Sequence, residues 1–254
     1  MGKVHGLSIL AAFALAVCGC QGSRDATPAP RPETAASTNS APAASASGTA
    51  RDSDADPTPQ VPAAAVVQRN DAGPLLVCFG DSLTAGLGTG PGQSYPDYLQ
   101  SDLDELHYKY RVVNKGVSGD TTKDGVERLP EVLALHPAVV VVEFGGNDGL
   151  RGLPNEETRA NLDTIIATLE KSGAKVALAG ITLPPDYGPD YIQQFDETYT
   201  VLAKKYRVPM LPFLLKDVYG VPGMMQRDET HATAKGNQVV ARNVIPIVLP
   251  LLKK

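Results

Sequence analysis

From Leu75 onward the chain alternates short apolar runs with amphipathic segments of helical period, and this alternation leaves few folds open. Leu75-Leu76-Val77-Cys78-Phe79 ends at Gly80, Arg111 to Asn114 forms a second run, and Ala138 to Phe144 a third that ends at Gly145-Gly146. Lys175 to Gly180 is a fourth, and Val208 to Leu211 a weaker fifth whose Pro209 lacks an amide and predicts an edge strand. Between them the spacing predicts helices over Tyr95–His107, Thr121–Leu135, Glu156–Lys171, Tyr191–Tyr206 and Thr233–Leu252, the last broken near Pro246. Nearly continuous apolar strands joined by helices predict an α/β fold, a three-layer α/β/α sandwich around a parallel sheet buried on both faces. Right-handed crossovers then gather all strand C-termini at one edge, where such sheets bind their ligands.

The first 70 residues are of another kind. Lys3 and an apolar run from Leu7 to Val17 have the length of a signal-peptide h-region and are too short to span a bilayer. The run ends in Val17-Cys18-Gly19-Cys20, which resembles a bacterial lipobox. That resemblance implies a signal peptide over residues 1–20, lipid on Cys20, and an exported protein anchored in the cell envelope, facing the periplasm. Each buried methylene contributes about 0.8 kcal/mol, so several acyl chains anchor firmly. In residues 21–70, Ala, Pro, Ser and Thr supply 31 of 50 positions, and Leu, Ile, Phe, Tyr and Met are absent. Such a segment buries too little apolar surface to offset its ordering entropy and is read as a flexible tether. Residues 71–254 then form one domain, long enough to fold without disulfides.

Composition narrows the function. A net charge of −5 lacks the basic footprint of a nucleic-acid binder. Three Cys with no C-x-x-C pair suggest neither a disulfide framework nor a zinc site. Cys78 lies within an apolar run and reads as core.

Four short motifs remain, three of them after successive strands. Gly80-Asp81-Ser82-Leu83-Thr84 places a Ser at a strand-to-helix turn, either as a nucleophile beside outward amides or as a simple helix cap. Asn114 to Thr122 contains Gly116, which would let a backbone amide approach a ligand, and Asp120 or Thr121 as a cap. Gly145-Gly146-Asn147-Asp148 offers a neutral amide donor, a plain turn, or a phosphate cradle that lacks its Lys. Asp228-Glu229-Thr230-His231 sets a carboxylate three residues before a His, close enough to fix its tautomer, or else marks an acidic helix start. Of the four His, His5 lies in the leader, His107 ends a helix and His136 precedes a Pro, which leaves His231 as the candidate base.

Taken in order, these motifs resemble the SGNH (GDSL-type) hydrolases across nearly all of residues 75–252, within them the bacterial arylesterase, lysophospholipase and acyl-thioesterase subgroup. Val112 to Thr122, Arg128-Leu129-Pro130, Val142 to Gly152, Leu183 to Gly188, Val208 to Phe213 and Asp228 to His231 carry the likeness. The resemblance implies a flavodoxin-like sheet of five parallel strands. It implies Ser82 as nucleophile, His231 as general base and acid, and Asp228 as its orienting partner. The Ser82 amide, the Gly116 amide and the Asn147 side chain would form the oxyanion hole. Glu229 and Ala232 depart from the more usual Gly and Pro. No metal or organic cofactor is implied. Leu150, Leu153 and Tyr187 are expected to wall an apolar substrate pocket. The expected activity is hydrolysis of acyl or aryl esters, lysophospholipase- or thioesterase-like, on a small-molecule or lipid substrate. An envelope polysaccharide O-deacetylase and an inactive binding lipoprotein are the alternatives, and a flavodoxin-like nucleotide binder is disfavoured by the acidic domain.

Overall fold

The computed structural model describes residues 73–254. The expected signal peptide, Cys20 and the tether lie outside them. Five parallel strands form one sheet in the order β2-β1-β3-β4-β5. They are β1 (Leu75–Gly80), β2 (Arg111–Gly116), β3 (Val139–Glu143), β4 (Lys175–Ala179) and β5 (Met210–Leu211). This is the expected flavodoxin-like order, whose direction reverses beside β1 and β3. In register, Gly80 at the end of β1 lies between Gly116 of β2 and Glu143 of β3. The three motif-bearing loops therefore leave the sheet side by side.

Strands β1 and β3 are almost wholly apolar because both their faces are covered, while the edge strand β2 carries Arg111, Asn114 and Lys115 and is partly exposed. Leu76 to Phe79 and Val139 to Val142 are wholly buried. Helices α2 (Tyr95–Glu105) and α7 (Ala234–Val248) pack on each other, while α3 (Thr122–Leu133), α5 (Asn155–Lys171) and α6 (Pro189–Tyr206) pack in succession. The two remaining helices, α1 (Ser82–Ala85) and α4 (Gly146–Leu150), are single turns at the sheet edge. Among the described residues no helix is long and apolar enough to cross a membrane.

The helices expected to end at His107 and Leu135 stop at Glu105 and Leu133, the strand expected over Val208–Leu211 is Met210–Leu211, and two further departures have a clear physical cause. Helix α7 continues through Pro246 to Val248 and closes with a 3-10 turn over Leu249–Leu251. Pro246 removes one N–H near the helix end, and the buried stripe of Val240, Val244, Ile247 and Val248 holds the helix together. Helix α6 begins at Pro189, two residues earlier than its apolar spacing predicts. Gly188 at φ 84° turns the chain, and Pro189 supplies a preset φ at the first helical position. The edge assignment of β5 stands. Pro209 accepts from the Leu178 amide at 2.9 Å, and its missing donor is not needed.

Candidate active site

The nucleophile candidate is built by its neighbours. Asp81 caps α1, its Oδ1 accepting from the Leu83 amide at 3.0 Å, so Ser82 becomes the first helical residue rather than the cap. An amide at that position has no partner inside its own helix and points toward the sheet edge. Gly86, at φ 76°, ends the turn after four residues. Gly80 is required because a Cβ there would collide with the Thr84 hydroxyl and the Glu143 carboxyl.

His231 and Asp228 lie in the loop before α7. Gln226 pins this loop, its amide donating to the His231 carbonyl at 2.8 Å and its Nε2 to the Leu87 carbonyl at 2.7 Å. His231 Nε2 lies 2.9 Å from Ser82 Oγ, and His231 Nδ1 lies 2.7 Å from Asp228 Oδ2. Asp228 Oδ1 also accepts from the Thr230 and His231 amides at 3.0 and 3.1 Å. Burial pushes the Asp228 carboxyl upward, but the bonds from the His231 ring and the two amides outweigh it and hold the pKa at about 2. An ionised Asp228 can only accept, so Nδ1 carries the proton and Nε2 is free to accept from Ser82.

The oxyanion-hole expectation needs one correction. Gly116 does not reach the site. Its amide donates to Asn114 Oδ1 at 2.9 Å, and a Cβ on it would collide with the backbone of Thr84 and Ala85. Gly116 is glycine so that α1 can lie against β2. Gly119, in the same loop, borders the cavity around Ser82 at φ 90°. Among the described residues its amide has no protein acceptor, and its carbonyl accepts from Arg151 Nη2 at 2.8 Å. Sequence reasoning missed Gly119 because a close approach required by packing was credited to a ligand.

Asn147 follows Gly145, whose φ of 120° makes the turn out of β3. Its Nδ2 donates to Asp81 Oδ2 at 3.1 Å and to the Asp120 carbonyl at 2.9 Å, which fixes the amide beside Ser82. Beneath lies a buried acidic pair. Burial, offset in part by hydrogen bonds, raises Asp81 to about 6. Burial and then the Asp81 charge raise Glu143 well above the usual carboxylate range. Thr84 Oγ1 donates to Glu143 Oε2 at 2.7 Å.

A cavity of about 300 Å³ opens over these groups. Leu83, Leu150, Ile181, Leu183, Phe213 and Leu215 make it largely apolar. Leu150 is therefore a wall residue as expected, but Leu153 and Tyr187 are not. The Tyr187 hydroxyl donates to the Leu150 carbonyl at 2.9 Å, and the Leu153 carbonyl accepts from Tyr191 at 3.1 Å. Both brace the wall from behind. Cys78 is core as expected, with burial raising its thiol to about 12. Among the described residues, no three His, Cys, Asp or Glu side chains are grouped to hold a metal ion.

Comparison with known proteins agrees with this geometry. The profile of the GDSL-like lipase/acylhydrolase family matches residues 78–239. Esterase TesA of Pseudomonas aeruginosa is 42% identical over 191 residues, 75% of this chain and 95% of that protein. Thioesterase 1/protease 1/lysophospholipase L1 of Escherichia coli is 37% identical over 185 residues, 72% of this chain and 88% of that protein. The crystal structure of TesA superposes with a TM-score of 0.68 at 44% identity, covering 70% of this chain and 99% of that one. With its matching motifs, sheet order and edge-bound constellation, the chain belongs to the GDSL-like lipase/acylhydrolase family.

Proposed function

We propose that the protein hydrolyses carboxylic esters of acyl chains, and thioesters of similar shape, through an acyl-enzyme on Ser82. The observation that carries this reading is the unbroken hydrogen-bonded series Ser82–His231–Asp228 facing an apolar cavity. Ser82 Oγ attacks the carbonyl carbon while His231 Nε2 takes its proton. Asp228 stabilises the imidazolium so formed. The tetrahedral oxyanion takes hydrogen bonds from the Ser82 and Gly119 amides and the Asn147 side chain. His231 then returns the proton to the leaving alcohol or thiol, and water repeats the sequence on the acyl-enzyme.

In the resting site both N–H groups of Asn147 already have acceptors. The oxyanion must compete with them, and a full negative charge competes better than a neutral carbonyl. Asn147 therefore discriminates in favour of the transition state. The apolar walls suit the acyl side, and the names of the relatives, esterase and thioesterase/lysophospholipase, support the same substrate class.

The test is hydrolysis of p-nitrophenyl esters from acetyl to dodecanoyl by the wild type and Ser82→Ala. Turnover that rises with chain length and falls about 10⁴–10⁶-fold in the variant is expected. Acetyl preference would favour the deacetylase alternative, and turnover that survives in Ser82→Ala would remove Ser82 from the mechanism.

The membrane location is part of the same proposal. The h-region and Val17-Cys18-Gly19-Cys20 support lipid attachment at Cys20, with the tether spacing the enzyme from the envelope. A Cys20→Ser protein is expected in the soluble fraction and the wild type in the membrane fraction. Equal partitioning of the two would overturn the anchor.

A further inference from the structure

Glu229 stands in the cavity wall together with Thr230 and His231. Its backbone lies in the left-handed region at φ 55°, which disfavours a residue with a Cβ. Strain kept beside a reactive centre points to a use for the side chain. The residue is exposed, and its carboxylate has no hydrogen bond or ion pair among the described residues. The other carboxylate in the wall, Asp81, is buried and bonded to Asn147. No Lys or Arg lines the cavity. The nearby Arg151 guanidinium is tied to the Gly119 carbonyl, on the oxyanion side. Glu229 is thus an uncommitted negative charge at the solvent side of the site.

Its place along the chain says which part of the substrate it meets. The leaving oxygen must lie beside His231 Nε2 to receive its proton, and Glu229 is two residues from His231 in the same loop. The apolar wall of Leu150, at the end of α4 after β3, and of Ile181 and Leu183, in the loop after β4, suits the acyl chain.

We propose that Glu229 is a specificity-determining residue that favours esters whose alcohol portion carries an ammonium group, as in choline or ethanolamine derivatives, over neutral and anionic ones. This rests on the ester-hydrolase reading and deepens it. The shared chemistry is a cation on the alcohol side of the scissile ester, close to the ester oxygen in a choline ester and beyond the glycerol and phosphate in a lysophospholipid. It can belong to a simple amino-alcohol ester or to the headgroup of a lysophospholipid. An exposed charge pair at contact distance is worth about three- to tenfold in kcat/KM, and salt reduces it.

The experiment measures kcat/KM ratios with the full-length protein. One pair is butyrylthiocholine against its neutral isostere, 3,3-dimethylbutyl thiobutyrate. The other is lysophosphatidylcholine against lysophosphatidylglycerol. Glu229→Gln removes the charge and keeps the side chain, Glu229→Gly removes both charge and strain, and Glu170→Gln, at an exposed position of α5, is the remote control. The expected result is a cation preference that both Glu229 variants lose to a similar degree, that Glu170→Gln retains, and that rising salt weakens. The pair that responds identifies the source of the cation. Ratios unchanged in Glu229→Gln for both pairs would overturn the inference, as would a ratio that shifts only in Glu229→Gly. Either result leaves the hydrolase reading intact while the neutral thioester is still cleaved in a Ser82-dependent way. Loss of that dependence would instead overturn the hydrolase reading and this inference with it.

Discussion

Ser82 owes its position to the residue before it. Because Asp81 takes the cap, Ser82 keeps a free amide and an outward hydroxyl on the same residue. The Asp228–His231 pair is as local, a carboxylate and an imidazole three residues apart, which is why it was legible in the chain. Asp228→Asn should reverse the favoured His231 tautomer and lower kcat by about 10⁴. Near-normal turnover of that variant, measured on a p-nitrophenyl ester, would deny Asp228 its role. The two glycines of the β2 loop separate just as sharply. Gly119→Ala has room for its methyl but must adopt φ 90°, so the fold should survive while kcat falls about 10²–10³-fold. Gly116→Ala should instead lower Tm by several degrees, since its methyl meets backbone. If kcat fell with Gly116→Ala while Tm held, the original assignment of the oxyanion donor would be restored. Nothing in Asn114 to Thr122 marks which glycine faces ligand and which faces a helix, because that depends on where α1 lies. Leu153 and Tyr187 escaped for the same reason: apolar residues in a wall and behind it look alike in sequence.

At the level of elements, β1 and β3 were legible because strands covered on both faces of a parallel sheet are uninterrupted apolar runs, and the half-exposed edge β2 left only Val112-Val113 as a signal. Helix ends were less so, since capping geometry decides them rather than periodicity. Thr121 shows how much one end can carry. Its hydroxyl accepts from the Asp124 amide at 3.4 Å, and the Asp124 carboxylate accepts from the Thr121 amide at 2.8 Å, which starts α3 directly after the Gly119 loop. The Thr121 hydroxyl, which also donates to Asp124 Oδ2 at 2.7 Å, and then the Thr121 amide pull Asp124 below the usual carboxylate range. Thr121→Ala should cost about 1 kcal/mol in denaturant unfolding and loosen the loop that presents Gly119. An unchanged unfolding midpoint would mean that tertiary packing alone sets the start of α3. Pro246 teaches the converse. A proline that reads as a break is tolerated near a helix end when the buried stripe around it is continuous.

For the whole molecule, the buried pair Asp81–Glu143 links the site to global stability. Both carboxyls are raised in the folded state, so the folded protein holds protons that the unfolded chain would release. Stability contributed by Asp81 is present below about pH 4 and falls as pH climbs toward 6, and Glu143 extends the loss to higher pH. Asp228 acts oppositely, its contribution being present above about pH 4 and lost as pH falls toward 2. Half-exposed as it is, Asp228 contributes the smaller effect. Tm should therefore decline from weakly acidic to alkaline pH. Glu143→Gln, which keeps an acceptor for Thr84 but no titrating proton, should flatten the alkaline part of that decline. An identical slope in the variant, followed by thermal melts across pH, would show that the loss has another origin.

Cys78 has a bearing on how the molecule can be watched. Its thiol sits at the centre of β1, sealed from solvent and held in the unreactive form. After residue 20 it is the only cysteine in the sequence. A thiol-seeking dye therefore reacts there only when β1 parts from its neighbours β2 and β3. The rate of labelling in the native protein counts those openings, a built-in clock for the deepest layer of the structure.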